Sequence, residues 1–370
     1  MTQQLEAPGR GTTTAPTGWL ARMTEQFPQT ALWNDSIDPV ELRESLGWGA
    51  VGATCNPVIA LAAIRADLPR WQRRLRELAE ELPTATENQL GWKVVEELTV
   101  DGARLLEPVF RAHGGRNGRV SVQTDPRLFR DPDALVRQAV HLSGLAPNII
   151  VKIPATAAGI LAIEEATARG VSVNATVSFT VSQAVAVAEA VERGLDRRGA
   201  GAGEGTDNGA VATIMGGRLD DWLRSCATRT STLLPPGYVD WAGVAALKRA
   251  HQLFTERGYR TRVLAAAFRN HLPLTELVGG DVVVSPPTAW QRAVDGADLP
   301  LTARIDEPVD PQVVDTLTRT LPDFSRAVEP DGMAVEEFGD FGATRQTLRQ
   351  FLAAAADLDA LVRDLLVPAP

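Results

Sequence analysis

Eight short runs of β-branched and apolar residues recur along this chain, and most are separated by amphipathic stretches. The runs lie at 31–34, 51–54, 119–123, 149–153, 171–176, 210–215, 262–268 and 281–285. Segments 58–68, 70–82, 132–143, 157–169, 180–194, 219–228 and 241–257 place apolar residues at the 3.6-residue spacing of helices. Such alternation implies parallel strands joined by helical crossovers, and eight strands point to a (β/α)8 barrel rather than an open sheet. The chain of 370 residues is long enough for one such barrel with insertions. The reading is a tail and short helix over 1–28, then a single barrel domain over 29–370. Within it, 70–113 is a helical insertion, with 86–113 forming one or two long helices. Residues 194–209, rich in Gly and charge, read as a mobile loop, and 299–332, rich in Pro and Asp, as an irregular insertion. Residues 335–366 read as a helix with Leu348, Phe351, Leu352, Leu358, Leu361 and Leu365 on its apolar face.

Charge and cysteine content narrow the partners. A net charge of −9 argues against nucleic acid but leaves room for small anions in a local basic pocket. No apolar run is long enough to span a membrane, and the polar start over 1–17 reads as a floppy tail rather than a signal peptide. Two cysteines, Cys55 and Cys226, are too few for a disulfide framework, so a reducing, cytoplasmic setting is expected. The four histidines lack metal-ligand spacing, and no metal is expected.

One residue breaks the pattern of the strands. Lys152 sits in Ile149-Ile150-Val151-Lys152-Ile153-Pro154, where burial penalises its charged form. It has two plausible uses: an ion pair with a buried carboxylate such as Asp35, or a neutral nucleophile that condenses with a carbonyl. In (β/α)8 barrels, chemistry sits at the C-terminal ends of the strands. There the sequence places Asp35, Asn56, Gln123, Asn174, Thr176, Thr213, Arg218, Arg269, Asn270 and Ser285. Asp35, Asn56 and Ser285 also suit helix capping. Together these residues make an amide- and hydroxyl-rich pocket around an amine and two guanidinium groups. In it, a neutral Lys152 can attack a ketone, and the resulting iminium ion accepts electrons as a C–C bond breaks. Asp35 is the candidate to take the hydroxyl proton. Asn56, Asn174 and Thr176 would hold substrate hydroxyls, and Arg218 and Arg269 a phosphate. Gly216 and Gly217 serve either a bound anion or a crowded turn. Cys55 has no histidine beside it and reads as packing. Trp33 is the tryptophan expected nearest the site.

These residues resemble the transaldolase family of Schiff-base aldolases from about residue 32 to 286. Val151-Lys152-Ile153-Pro154-Ala155-Thr156 is similar to the family's Schiff-base motif, and Leu32-Trp33-Asn34-Asp35-Ser36 to its acid/base aspartate segment. Thr54-Cys55-Asn56-Pro57 resembles Thr-Thr-Asn-Pro, and Asn174-Ala175-Thr176 the Asn-x-Thr strand. Gly217-Arg218-Leu219-Asp220 and Ala267-Phe268-Arg269-Asn270 resemble the two phosphate-arginine motifs. The resemblance implies a barrel with the lysine on strand four and transfer of a dihydroxyacetone unit between sugar phosphates. It implies neither metal nor organic cofactor. Thr213 stands in place of the family's strand-six serine.

The departures from the family pattern are specific. Gln123 stands where transaldolases carry a glutamate that handles a catalytic water, and an amide orients water without taking its proton. The related fructose-6-phosphate aldolases share the glutamine but add a tyrosine where this chain has Met215. Ala267 and Val58 replace hydroxyl residues. The expectation is a Schiff-base enzyme acting on phosphorylated sugars, as a monomer or homodimer, by ketol transfer. Gln123 gives weight to simple aldol cleavage. A specialised aldolase and a non-catalytic sugar-phosphate-binding barrel are the other readings.

Overall fold

A computed structural model describes residues 18–199 and 209–368. Eight parallel strands form one sheet: β1 Thr30–Leu32, β2 Gly52–Thr54, β3 Arg119–Gln123, β4 Ile149–Pro154, β5 Val173–Thr176, β6 Val211–Ile214, β7 Arg262–Ala265 and β8 Val282–Val284. The sheet runs from β1 through β8 and back down to β2. The ring closes between β1 and β2, where Val51 N donates to Leu32 O at 2.7 Å, Asn34 N to Gly52 O at 2.9 Å and Thr54 N to Asn34 O at 2.8 Å. The (β/α)8 barrel expected from the strand count is therefore the observed architecture, with several strands a few residues shorter than their apolar runs.

Two separate apolar layers follow from the two-residue period of a strand. Outward side chains pack against the helices, while Ala31, Trp33, Ile150, Val211, Leu264, Ala266 and Val283 fill the barrel itself. The Trp33 indole is fully buried there, so it is floor rather than mouth. Gly52 makes room for it, since a Cβ at that position would lie 2.4 Å from Trp33 Cε2. Two residues on from Trp33, Ile150, Val211 and Val283 come Asp35, Lys152, Thr213 and Ser285. The strand period that buries the floor thus lifts these polar side chains to the open end.

The additions to the barrel are mostly helical. Helices Leu68–Glu81 and Glu87–Ala112 form the insertion, the second as a single helix begun by a Thr86–Gln89 capping box. Segment 299–332 departs from its reading as irregular: it holds helices Pro311–Thr320 and Pro322–Val328. Two of the segment's prolines, Pro311 and Pro322, sit at helix starts, where the missing N–H costs nothing. Of the expected loop 194–209, residues 194–198 complete helix Val181–Arg198, and 200–208 lie outside the described residues. Residues 1–17 of the expected tail also lie outside them. Helix Gly342–Leu366 crosses back to pack on helices Pro57–Ala66, Glu87–Ala112 and Gly216–Arg229. Among the described residues, no helix is long and apolar enough to cross a membrane.

Candidate active site

Lys152 lies in the strand register beside Gln123 on β3 and Asn174 on β5, so all three face the same side of the sheet. Its side chain is buried, and among the described residues its Nζ makes one hydrogen bond, a long one of 3.4 Å to Cys55 O. Burial pushes the amine below the ordinary lysine range, Asp35 opposes that shift, and Arg218 adds to it. Asp35 follows β1 at the mouth. Burial raises its carboxyl above the ordinary carboxylate range, against the pull of Lys152, the Thr54 hydroxyl, Arg218 and Arg269. Desolvation therefore drives both members of this pair towards their neutral forms. The Cys55 thiol is pushed up to about 12 by burial, which removes it as a thiolate nucleophile.

The amide and hydroxyl groups expected around the amine divide into two sets. Asn174 is held at both ends: Nδ2 donates to Ser121 Oγ at 3.0 Å, and Oδ1 accepts from Thr213 Oγ1 at 2.7 Å. Thr176 is fully buried, with its hydroxyl directed at Met215 Sδ 4.0 Å away. Gln123 is buried with no hydrogen-bond partner for Oε1 among the described residues, and it lines a cavity of about 30 Å³ together with Cys55, Trp92 and Leu358. Asn56 is committed elsewhere. Its Oδ1 accepts from Val58 N at 2.9 Å and Ile59 N at 3.1 Å, capping helix Pro57–Ala66, so only Nδ2 remains for a ligand.

The two arginines come together from different crossovers, and each has a protein partner. Arg218, in the first turn after β6, donates to Thr347 Oγ1 at 3.3 Å and to Gln350 Oε1, and lies 5.4 Å from the Phe351 ring centre. Burial and the neighbouring Arg269 charge both lower its pKa. Arg269 is exposed and forks onto Asp221 Oδ2 at 2.8 Å through Nε and Nη2. Gly217 is required by crowding, because a Cβ there would sit 2.0 Å from the Ala267 carbonyl. Gly216 similarly abuts Gly243.

The sequence reading missed the C-terminal helix as a wall of the arginine site. It also assigned no role to Thr54 and left Ser285 between a pocket residue and a helix cap. Ser285 caps nothing: helix Thr288–Asp295 is preceded by Pro287, and the Ser285 hydroxyl meets Thr54 Oγ1 at 3.0 Å. The two-residue period from Gly52 and Val283 marked both as inward-facing. Asn270 stays outside the cluster; its Oδ1 accepts from Leu272 N at 2.9 Å. A larger groove of about 740 Å³ lies outside the barrel. Its lysine, Lys248, is fully engaged by Glu276 and the carbonyls of Arg304 and Glu307, so it offers no free amine.

Comparison with known proteins agrees with this geometry. Residues 32–358 match the family described as Transaldolase/Fructose-6-phosphate aldolase. The chain is 31% identical over 319 residues to Transaldolase 1 of Streptomyces coelicolor, covering 77% of this chain and 81% of that protein. It is 36% identical over 164 residues to a transaldolase of Thermobifida fusca, covering 40% and 42%. It is 41% identical over 135 residues to Transaldolase 1 of Streptomyces avermitilis, covering 35% of this chain and 34% of that protein. The match thus spans about a third of the last relative's length and about four-fifths of the first's. With a parallel eight-stranded barrel, a buried amine on its fourth strand and a family match over most of its length, this chain belongs to the transaldolase/fructose-6-phosphate aldolase family.

Proposed function

We propose that this protein is a Schiff-base enzyme that moves a dihydroxyacetone unit between phosphorylated sugars. The observation that carries the reading is Lys152: a buried amine with a single 3.4 Å hydrogen bond among the described residues, facing one carboxylate at the barrel mouth. Such an amine is little committed to structure and is biased towards the uncharged form that attacks a carbonyl. Nζ adds to the ketose carbonyl, and loss of water leaves an iminium ion. Asp35 then takes the proton from the hydroxyl of the carbon to be released. The C–C bond electrons pass to the iminium, giving an enamine and a free aldehyde. An acceptor aldehyde is attacked by the enamine carbon, and hydrolysis frees Lys152. Gln123 orients water as a neutral amide. Asp35, the one carboxylate whose charge acts on Lys152 among the described residues, moves the protons. Arg218 and Arg269 hold the phosphate, with Arg269 exchanging Asp221 for the ligand. Cys55 and Cys226 are free thiols, which suits a reducing compartment.

Borohydride trapping with ketose phosphates, read by mass spectrometry, tests this. A substrate-sized adduct on Lys152 is expected, and an unmodified lysine across a panel of ketoses overturns the reading. Release of free dihydroxyacetone without an acceptor aldehyde would replace transfer by simple aldol cleavage, the outcome to which Gln123 gives some weight.

A further inference from the structure

We propose that Ser285 and Thr54 are positioning residues: a directed chain of hydroxyls that turns Oδ1 of Asp35 into the barrel wall and leaves Oδ2 to handle the reacting proton. Thr54 Oγ1 donates to Asp35 Oδ1 at 2.6 Å, and Ser285 Oγ lies 3.0 Å from Thr54 Oγ1. A hydroxyl has one proton. With Thr54's proton on Asp35, the second contact must use the proton of Ser285, so the chain runs from Ser285 through Thr54 to Asp35. Thr54 and Ser285 are both fully buried, so bulk water does not compete for either hydroxyl.

Backbone bonds hold all three residues where the ring closes. Thr54 N donates to Asn34 O at 2.8 Å, Ser285 N to Ala265 O at 2.9 Å and Asp35 N to Pro286 O at 3.3 Å. Among the described residues, no group hydrogen bonds to Oδ2. The reverse direction would follow if Asp35 carried a proton on Oδ1. The Ser285 hydrogen would then have no acceptor among the described residues, at a fully buried site. The chain is therefore complete only while Oδ1 carries no proton. Because a hydroxyl donates more strongly to a carboxylate than to the carbonyl oxygen of an acid protonated on Oδ2, it opposes the burial that favours the acid. Lys152, Arg218 and Arg269 are the charges that act on the same carboxyl, and substitutions at 54 and 285 leave all three in place.

The catalytic meaning of this chain rests on the proposed role of Asp35, but its geometry is testable without turnover. The experiment titrates the Asp35 carboxyl by carbon-13 NMR in the full chain, with the signal assigned through Asp35→Asn. Thr54→Val should raise the Asp35 midpoint by about one to two pH units, the effect of losing one hydrogen bond to a charged group. Ser285→Ala should move it the same way by less, and Thr54→Ser should restore the parent value. The acid limb of the kcat/KM profile should move with the midpoint. An unchanged midpoint in Thr54→Val overturns the chain. If that variant does not fold, an unchanged midpoint in Ser285→Ala does the same. A parent that traps no ketose on Lys152 defeats the functional reading instead, and the titration still decides the chain.

Discussion

Replacing Lys152 with methionine separates a reactive amine from a structural ion pair by the sign of the stability change. Methionine keeps most of the length and removes the charge. The amine gives up one hydrogen bond at 3.4 Å, near the outer limit of such bonds, so the loss is at most about 1 kcal/mol. Against this, the variant no longer holds an ionisable group in a buried site, a penalty on the order of several kcal/mol when the group is charged. Asp35 loses a nearby cation, but burial already favours its protonated form, so it can neutralise rather than stay buried as a lone charge. The net expectation is stability unchanged or raised by about 1–2 kcal/mol, with trapping abolished. Urea unfolding at pH 7, followed by circular dichroism and paired with Asp35→Asn in a double-mutant cycle, measures it. A loss of about 3–5 kcal/mol is what breaking a buried ion pair costs, and it would refute the reasoning by making Lys152 a structural partner of Asp35.

Gly52→Ala should destabilise the barrel by about 1–3 kcal/mol, because its Cβ meets the buried Trp33 indole at 2.4 Å. Gly47→Ala, with nothing within 4 Å, should be neutral or slightly stabilising in the same denaturation assay. Burial holds the Asp220 carboxyl well above its ordinary value of 3.8, so the folded chain keeps that proton longer than the unfolded chain does. Parent stability is then lost as pH rises above about 4. Asp220→Asn should match the parent near pH 4 and exceed it at pH 7, and parallel pH–stability curves would contradict this. Arg269→Ala should raise KM for a phosphorylated ketose by about tenfold or more while leaving an unphosphorylated one little changed, as steady-state kinetics on both would show.

Much of the frame is legible from local pattern. The eight apolar runs and the helices between them depend on near neighbours in the chain, and their periods say which faces are buried. An amine in the middle of the β-branched run at 149–153 marks the site for the same reason: a charge-bearing side chain there conflicts with the apolar residues on both sides of it. Counting two residues on from the barrel floor reaches Asp35, Lys152, Thr213 and Ser285, so the open end could be populated before any coordinates were known.

What tertiary structure alone decided are the partnerships between distant segments. Arg218 meets Gln350 across 132 residues because helix Gly342–Leu366 folds back over the barrel, a docking that no local period encodes. Thr54 meets Ser285 across 231 residues because closing the ring brings β2, β1 and β8 together at one point of the mouth. Trp33 becomes floor rather than mouth because the closed ring has an interior to fill, and Gly52 supplies the space. Proline at 311 and 322 starts helices because the first helical position needs no N–H donor, and composition alone cannot tell such a start from a break. Periodicity reports how each segment divides inside from outside. Which polar groups then satisfy one another depends on the three-dimensional closure that brings them within about 3 Å.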